Sequence, residues 1–120
     1  MIERINPPGA PTPRGPYSPA VRAGDFIFVS GQVAGELGDV AHETRQVLSN
    51  LKRILEGCGA TLDDVVKCSV FLADGKDFAA MNAVYAEFFG EAKPARSTVV
   101  TAFAVPGIKV EIDAIAHKPR

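Results

Sequence analysis

Arg96 and Glu111 are the side chains whose types and setting suggest chemistry. Arg96 stands in Pro94-Ala95-Arg96-Ser97-Thr98-Val99-Val100 and Glu111 in Lys109-Val110-Glu111-Ile112-Asp113-Ala114-Ile115-Ala116. The two stretches read together as a β-hairpin with the arginine near the start of its first strand. A planar guanidinium can fork onto both oxygens of a small carboxylate. A carboxylate within hydrogen-bond reach of the atoms beside it can orient a water and accept its proton. Desolvation in a cleft raises the Glu111 pKa and a neighbouring Arg96 lowers it, and the sequence leaves that balance open. Other tools are few: two His, two Cys and no Trp. His42 and His117 form no metal pair, and Cys58 and Cys68 lack ligand spacing and fall on apolar faces, where they behave as small hydrophobes. Gly57-x-Gly59 follows a helix instead of a strand, so it is a helix stop and not a dinucleotide fingerprint.

The elements that position these residues belong to one domain, residues 1–120. Hydrophobic content of 47% and charged content of 22% are those of a globular chain. A formal net charge of −1 gives no basic footprint for nucleic acid. The N-terminus lacks the charged and apolar regions of a secretory signal, and no apolar run is long enough to span a bilayer. The expected setting is cytoplasmic.

Six prolines between Pro7 and Pro19 exclude helix there and imply an extended arm, becoming a strand near Tyr17–Arg22. After a Gly24-Asp25 turn, Phe26–Ser30 is apolar on both alternating faces, as in a strand covered on both sides. Gly31, Gly35 and Gly38 punctuate a loop or short strand. Asp39 is a helix N-cap, followed by an apolar stripe of Val40, Thr44, Val47, Leu48, Leu51, Ile54, Leu55 and Cys58. Glu43, Arg45, Gln46, Lys52, Arg53 and Glu56 are assigned to the opposite face, and Gly57 or Gly59 ends the helix. Val65–Ala73 reads as a strand with Val66, Cys68, Val70 and Leu72 on one side. A second helix runs from Lys76 to Phe89 with Phe78, Met81, Tyr85, Phe88 and Phe89 as its stripe. Strands Ser97–Phe103 and Lys109–Ala116 are joined through Val105-Pro106-Gly107.

The resulting order, β-β-(β)-α-β-α-β-β, is that of an α+β fold with two helices packed on one face of a mixed β-sheet. In the last strand Ile108, Val110, Ile112 and Ala114 face the helices, while Lys109, Glu111, Asp113 and Ile115 face away. The second face is too apolar to lie in water, so oligomerisation through it is expected, with semi-buried clefts between subunits.

Several blocks resemble the YjgF/Rid family of enamine/imine deaminases: Gly15-Pro16-Tyr17-Ser18-Pro19-Ala20, Ser30-Gly31-Gln32, Asn50 to Gly59, Val65 to Leu72, Asp77 to Asn82, Tyr85, Phe88-Phe89, Pro94-Ala95-Arg96-Ser97 and Lys109 to Ala116. They follow one another over nearly the whole chain. The resemblance implies a chorismate-mutase-like (YjgF-like) fold and a homotrimer with a site between each pair of subunits. It further implies hydrolysis of 2-aminoacrylate or 2-aminocrotonate, as imines, to 2-keto acids and ammonia, without a cofactor. The expected ligand is a small 2-imino or 2-keto acid, with no nucleic acid or membrane partner. RNA cleavage has also been linked to the family, but the net charge and the lack of interleaved basic and aromatic residues argue against it here.

Carried onto this chain, the resemblance makes Arg96 the carboxylate clamp and Glu111 the residue that positions or activates water. Thr98 stands where many such deaminases have cysteine. The role implied there is a backbone carbonyl that holds water, which survives the exchange, and alternation puts Thr98 on the face of Arg96. Tyr17, Ser30, Gly31 and Asn82 match residues that line or shape the pocket. Tyr17 then donates a phenolic hydrogen bond, or merely anchors the arm. Ser30 and the Gly31 N–H polarise the imine or hold the carboxylate, or only end a strand. Asn82 more readily braces a neighbouring loop. Segments 33–39 and 90–93 look shorter than in typical members, which bears on substrate range. The contrasting reading is a non-catalytic trimer that binds a small carboxylate through the same Arg96.

Overall fold

The computed structural model describes all residues, 1–120. A six-stranded sheet carries two helices on one face. The strands are β1 (Ile2–Ile5), β2 (Ala20–Ala23), β3 (Phe26–Gln32), β4 (Val65–Leu72), β5 (Ala95–Val100) and β6 (Val110–His117), and the helices are α1 (Val40–Gly57) and α2 (Phe78–Phe89). Their spatial order in the sheet is β1-β2-β3-β6-β4-β5. The β4–β5 pair is parallel and all others are antiparallel. This is the α+β arrangement expected, but the strand at residues 2–5 is not foreseen in the sequence, which places the optional third strand after Ser30. Segment 33–39, where the glycines allow a loop or a short strand, is a loop. The strand expected near Tyr17 begins instead at Ala20.

The largest departure from the sequence reading is that β5 and β6 form no hairpin. The chain passes from β4 through α2 to β5, and a strand–helix–strand crossover favours parallel pairing. The nine residues 101–109 are also longer than a tight hairpin loop, commonly two to about five residues. They cross the end of β4, where the Thr101 N–H donates to the Leu72 carbonyl (2.9 Å) and the Ala73 N–H to the Lys109 carbonyl (3.0 Å). Strand β6 then inserts between β4 and β3.

Helix α1 starts as its sequence dictates: the Asp39 carboxylate accepts from the His42 N–H at 2.8 Å. Val40, Thr44, Val47, Leu48, Leu51, Ile54 and Leu55 are buried against Ile27, Val29, Ile112 and Ala114 of the sheet. Gly59, at φ +83°, lies in the left-handed region that lets the chain leave the helix. In β4, Val66 is not on the core side. A bulge between Val65 and Lys67 makes it the extra residue, 44% exposed, and Val65 takes the buried place.

Glu43 corrects the helix reading. It lies three residues after Val40 and four before Val47, so helical spacing puts it on the core face, and it is fully buried. Its carboxylate accepts from the Gly38 N–H (3.3 Å) and the Lys109 N–H (2.9 Å) and faces the Lys109 ammonium at 3.5 Å. It thus ties loop 33–39 and the entry to β6 onto α1. Lys109 is thereby taken up by Glu43 instead of Glu111. Glu43→Ala strands two backbone donors, and we expect a loss of about 2–3 kcal/mol, read as a shift in the urea midpoint without a change in slope.

The sheet face away from the helices carries Val21, Phe26, Phe28, Phe71 and Ile115, with Phe26 and Phe28 42% and 44% exposed. No helix is long and apolar enough to cross a membrane.

Candidate active site

Strand β3 is bulged between Val29 and Gln32, which places Ser30 and Gly31 at the bend, a common way to re-aim groups beside a site. Glu111 lies across from this bulge on β6. A Cβ at Gly31 would stand 2.3 Å from Glu111 Oε2 and 3.0 Å from its Cδ, so a larger residue would push the carboxylate out of the position it holds. Tyr17 reaches over from the proline-rich arm. Together Tyr17, Ser30, Gly31 and Glu111, with Arg14, Val33 and Val105, line a cleft of about 390 Å³. Four of the residues singled out in the sequence therefore meet in space.

Their hydrogen bonds narrow what each can do. The Ser30 hydroxyl donates to the Ser18 carbonyl at 2.7 Å, so its oxygen offers lone pairs, not a proton, to anything in the cleft. The Tyr17 phenol oxygen accepts from the Arg14 N–H at 3.1 Å and keeps its own proton free to donate. Glu111 is half-buried and forms no ion pair. Burial, and then the neighbouring Asp113 carboxylate, push its pKa up from the ordinary value. The balance left open by the sequence falls on the side of desolvation, because Arg96 is not beside it.

Arg96 is on β5, opposite Cys68, while Glu111 is opposite Phe71. The two are separated by β4 and by three positions along the strands, which amounts to about 10 Å in each direction. The odd offset also places them on opposite faces of the sheet. Arg96 faces the helices. Its guanidinium lies 4.7 Å from the Tyr85 ring centre and 5.7 Å from that of Phe78, and Nη1 is 4.0 Å from Met81 Sδ. These cation–π contacts hold the arginine without a carboxylate partner, so its fork remains free. Thr98 shares its strand and face, at the register position of Val70. Asn82 is half-buried on α2, between the turns that bear Phe78 and Tyr85.

The site residues thus fall into two groups on one chain: Tyr17, Ser30, Gly31 and Glu111 in the cleft, and Arg96, Thr98 and Asn82 at the β5 edge. Arg14 and Val105 are not singled out by sequence, although Arg14 directly precedes the Gly15-Pro16-Tyr17 block. Neither histidine lines the cleft: His42 is near Glu36 and Gln46, and His117 packs on Phe26 at 5.1 Å. Burial pushes both thiols up, Cys58 and Cys68 alike, which leaves them poor nucleophiles. No three His, Cys, Asp or Glu side chains converge as a metal-ligand set.

Comparison with known proteins places the chain among its relatives. The chain is 50% identical over 125 residues to a RutC family protein of Pyrococcus horikoshii, covering 98% of this chain and 99% of that one. It is 40% identical to the 3-aminoacrylate deaminase RutC of Acinetobacter baylyi, covering 96% and 97%. A 2-iminobutanoate/2-iminopropanoate deaminase of Dermatophagoides farinae is likewise 40% identical, at 92% of each chain. Among solved structures, the YjgF gene product of E. coli superposes with a TM-score of 0.89 at 42% identity, over 96% of this chain and 98% of that one. Residues 8–118 match the family model described as Endoribonuclease L-PSP, and with that match the chain belongs to this family, the YjgF/Rid proteins.

Proposed function

We propose that the protein is a deaminase of small 2-imino acids, hydrolysing the enamine/imine products of amino-acid breakdown, such as 2-aminoacrylate, to 2-keto acids and ammonia. The observation that carries this reading is the Glu111 carboxylate, its pKa raised and its oxygens unpaired, set against Gly31 in a cleft also bearing Tyr17 and Ser30. Relatives named as deaminases of 3-aminoacrylate and of 2-iminobutanoate/2-iminopropanoate support the same chemistry. The absence of either histidine from the cleft favours it over RNA cleavage.

The reaction needs one water and orientation, since imines hydrolyse readily once a nucleophile is placed. Glu111 accepts a proton from that water as its oxygen bonds to the imine carbon. The C=N pair moves onto nitrogen, which takes that proton back from the Glu111 carboxyl. The resulting carbinolamine collapses to the 2-keto acid as its hydroxyl proton passes through Glu111 to nitrogen and the C–N bond breaks to release ammonia. Ser30 Oγ, its proton already given to Ser18, accepts an N–H of the imine, and Tyr17 donates to the substrate carboxylate. Arg96 grips that carboxylate from a neighbouring copy, because its own chain places it on the far face of the sheet. Three copies closed through the apolar face bearing Phe26 and Phe28 would bring the two groups together, and Thr98 on the same edge strand would supply the backbone carbonyl that steadies the water.

The test couples a serine or threonine dehydratase to this protein and follows keto-acid formation, with 3-aminoacrylate as a parallel substrate. Acceleration over the spontaneous rate is expected with the 2-imino acids. No acceleration with any of them, together with tight 2-keto acid binding, would leave a carboxylate-binding trimer instead. Ser30→Ala keeps the shape and removes only the acceptor, so a fall in kcat of about tenfold is expected, with KM for the substrate little changed.

A further inference from the structure

We infer that the cleft is shaped for 2-imino acids whose side chain carries a second anionic group, with Arg14 as the residue that reads it. The inference rests on the deaminase reading above and specifies its substrate class.

The cleft holding Glu111 does not end at Tyr17. It continues into a second recess of about 270 Å³ between the proline-rich arm and α1, and the two share Arg14, Tyr17, Gly31 and Val33. An imino acid with a methyl or ethyl side chain has no atoms to place there. The recess is polar, lined among others by Thr12, Gln32, Gln46 and Asn50, and it contains no Asp or Glu. Its one charged residue is Arg14.

Each amide in the recess already makes at least one hydrogen bond. Gln46 Oε1 accepts from the Glu36 N–H and its Nε2 contacts His42, Gln32 donates to the Ser30 carbonyl, and Asn50 donates to the Val33 carbonyl. The Arg14 guanidinium, by contrast, takes part in no ion pair and no hydrogen bond, while its backbone N–H is fixed on the Tyr17 phenol. Pro13 on one side and Pro16 two residues on restrict the backbone that carries it, so the position of its Cα is set before binding. Arg14 is exposed at the junction of the two recesses and shares the larger with Glu111, yet it forms no ion pair there, and such an unpaired fork suits a distal carboxylate. Glu111 works in the same direction: it repels an anionic side chain from the reacting end and leaves the Arg14 recess as its place. The class that fits is the imine of an acidic amino acid, such as 2-iminosuccinate or 2-iminoglutarate. The supplying reaction is then two-electron oxidation of the Cα–N bond of such an amino acid, by an amino-acid oxidase or dehydrogenase whose electron acceptor takes up the hydride.

The experiment generates 2-iminoglutarate from glutamate and 2-iminobutanoate from 2-aminobutyrate with amino-acid oxidases plus catalase, and measures kcat/KM for both imines. In the wild-type protein both are hydrolysed faster than in buffer. Arg14→Met lowers the ratio of kcat/KM for 2-iminoglutarate over 2-iminobutanoate by tenfold or more, chiefly through KM. Arg14→Lys restores part of it and Arg14→Glu lowers it further. An unchanged ratio in Arg14→Met overturns the inference. So does a wild-type protein that hydrolyses only 2-iminobutanoate, and in both cases the deaminase reading stands. Acceleration of neither imine overturns both.

Discussion

Arg96→Ala is expected to lower kcat/KM for imine hydrolysis by about 100-fold to 1,000-fold, since removing a bidentate carboxylate contact costs on the order of 3–4 kcal/mol in transition-state binding. Most of the loss should appear in KM, with kcat following as the substrate loses its orientation. Arg96→Lys keeps the charge without the fork and should recover only a minor part. Folding should survive, because the half-buried guanidinium only covers Phe78 and the rim of the core at Tyr85 and Met81 on an edge strand, and circular dichroism checks this. A mixing experiment makes the geometry itself testable. If Arg96 of one copy serves Glu111 of another, equal amounts of Arg96→Ala and Glu111→Gln chains, refolded together, assemble some sites with both native residues. Random assembly in a closed ring gives about one such site in four, and activity should return toward a quarter of wild type. A mixture as inactive as its parts would exclude sites shared between copies.

The second large effect is expected for Glu111→Gln: a fall in kcat of about 100-fold, within the range for a lost general base, with KM nearly unchanged. Wild-type kcat should decline as acid protonates Glu111, and at a higher pH than for an ordinary carboxylate because its pKa is raised by burial and by Asp113. That acid limb should disappear in the variant. Stability should move the other way. A carboxyl whose pKa is higher folded than unfolded favours the folded state when protonated, and this advantage is lost as pH rises through the folded value. At neutral pH the ionised side chain therefore works against folding, so Glu111→Gln should raise Tm at pH 7 by about 1–3 °C. Below the unfolded pKa the gain should vanish. Unaltered kcat at every pH would rule Glu111 out as the base.

Several elements are legible because local rules act within a few residues. Asp39 caps α1 where its type and position require, and the alternation Ile108, Val110, Ile112, Ala114 marks the buried face of β6 as it does in the structure. The charge of Glu43 points to an exposed face while its spacing points to the core, and the backbone donors at Gly38 and Lys109 that settle the matter are not visible in a sequence. Strand β1 is masked by the many prolines that follow it. Val66 reads as inward-facing because a bulge cannot be read from alternation alone. Ser30-Gly31 is legible as a block, yet its reason, a glycine that admits the Glu111 carboxylate, depends on a strand about eighty residues away.

By itself the sequence determined which side chains are available for chemistry: one forking arginine, one glutamate on a non-core face, and Tyr17, Ser30 and Gly31 in family-like blocks. Its ordered blocks carried the resemblance to the family, and the two-layer architecture followed from periodicity and caps, which are local. Only the tertiary structure decided how those side chains are shared out. Strand β6 entered between β3 and β4 because the β4–α2–β5 crossover claimed the edge in parallel, and that one topological choice sent Arg96 and Glu111 to opposite faces. Glu111 was left in a desolvated cleft without a cation at its oxygens, and Arg96 was left stacked on Tyr85 with its fork free.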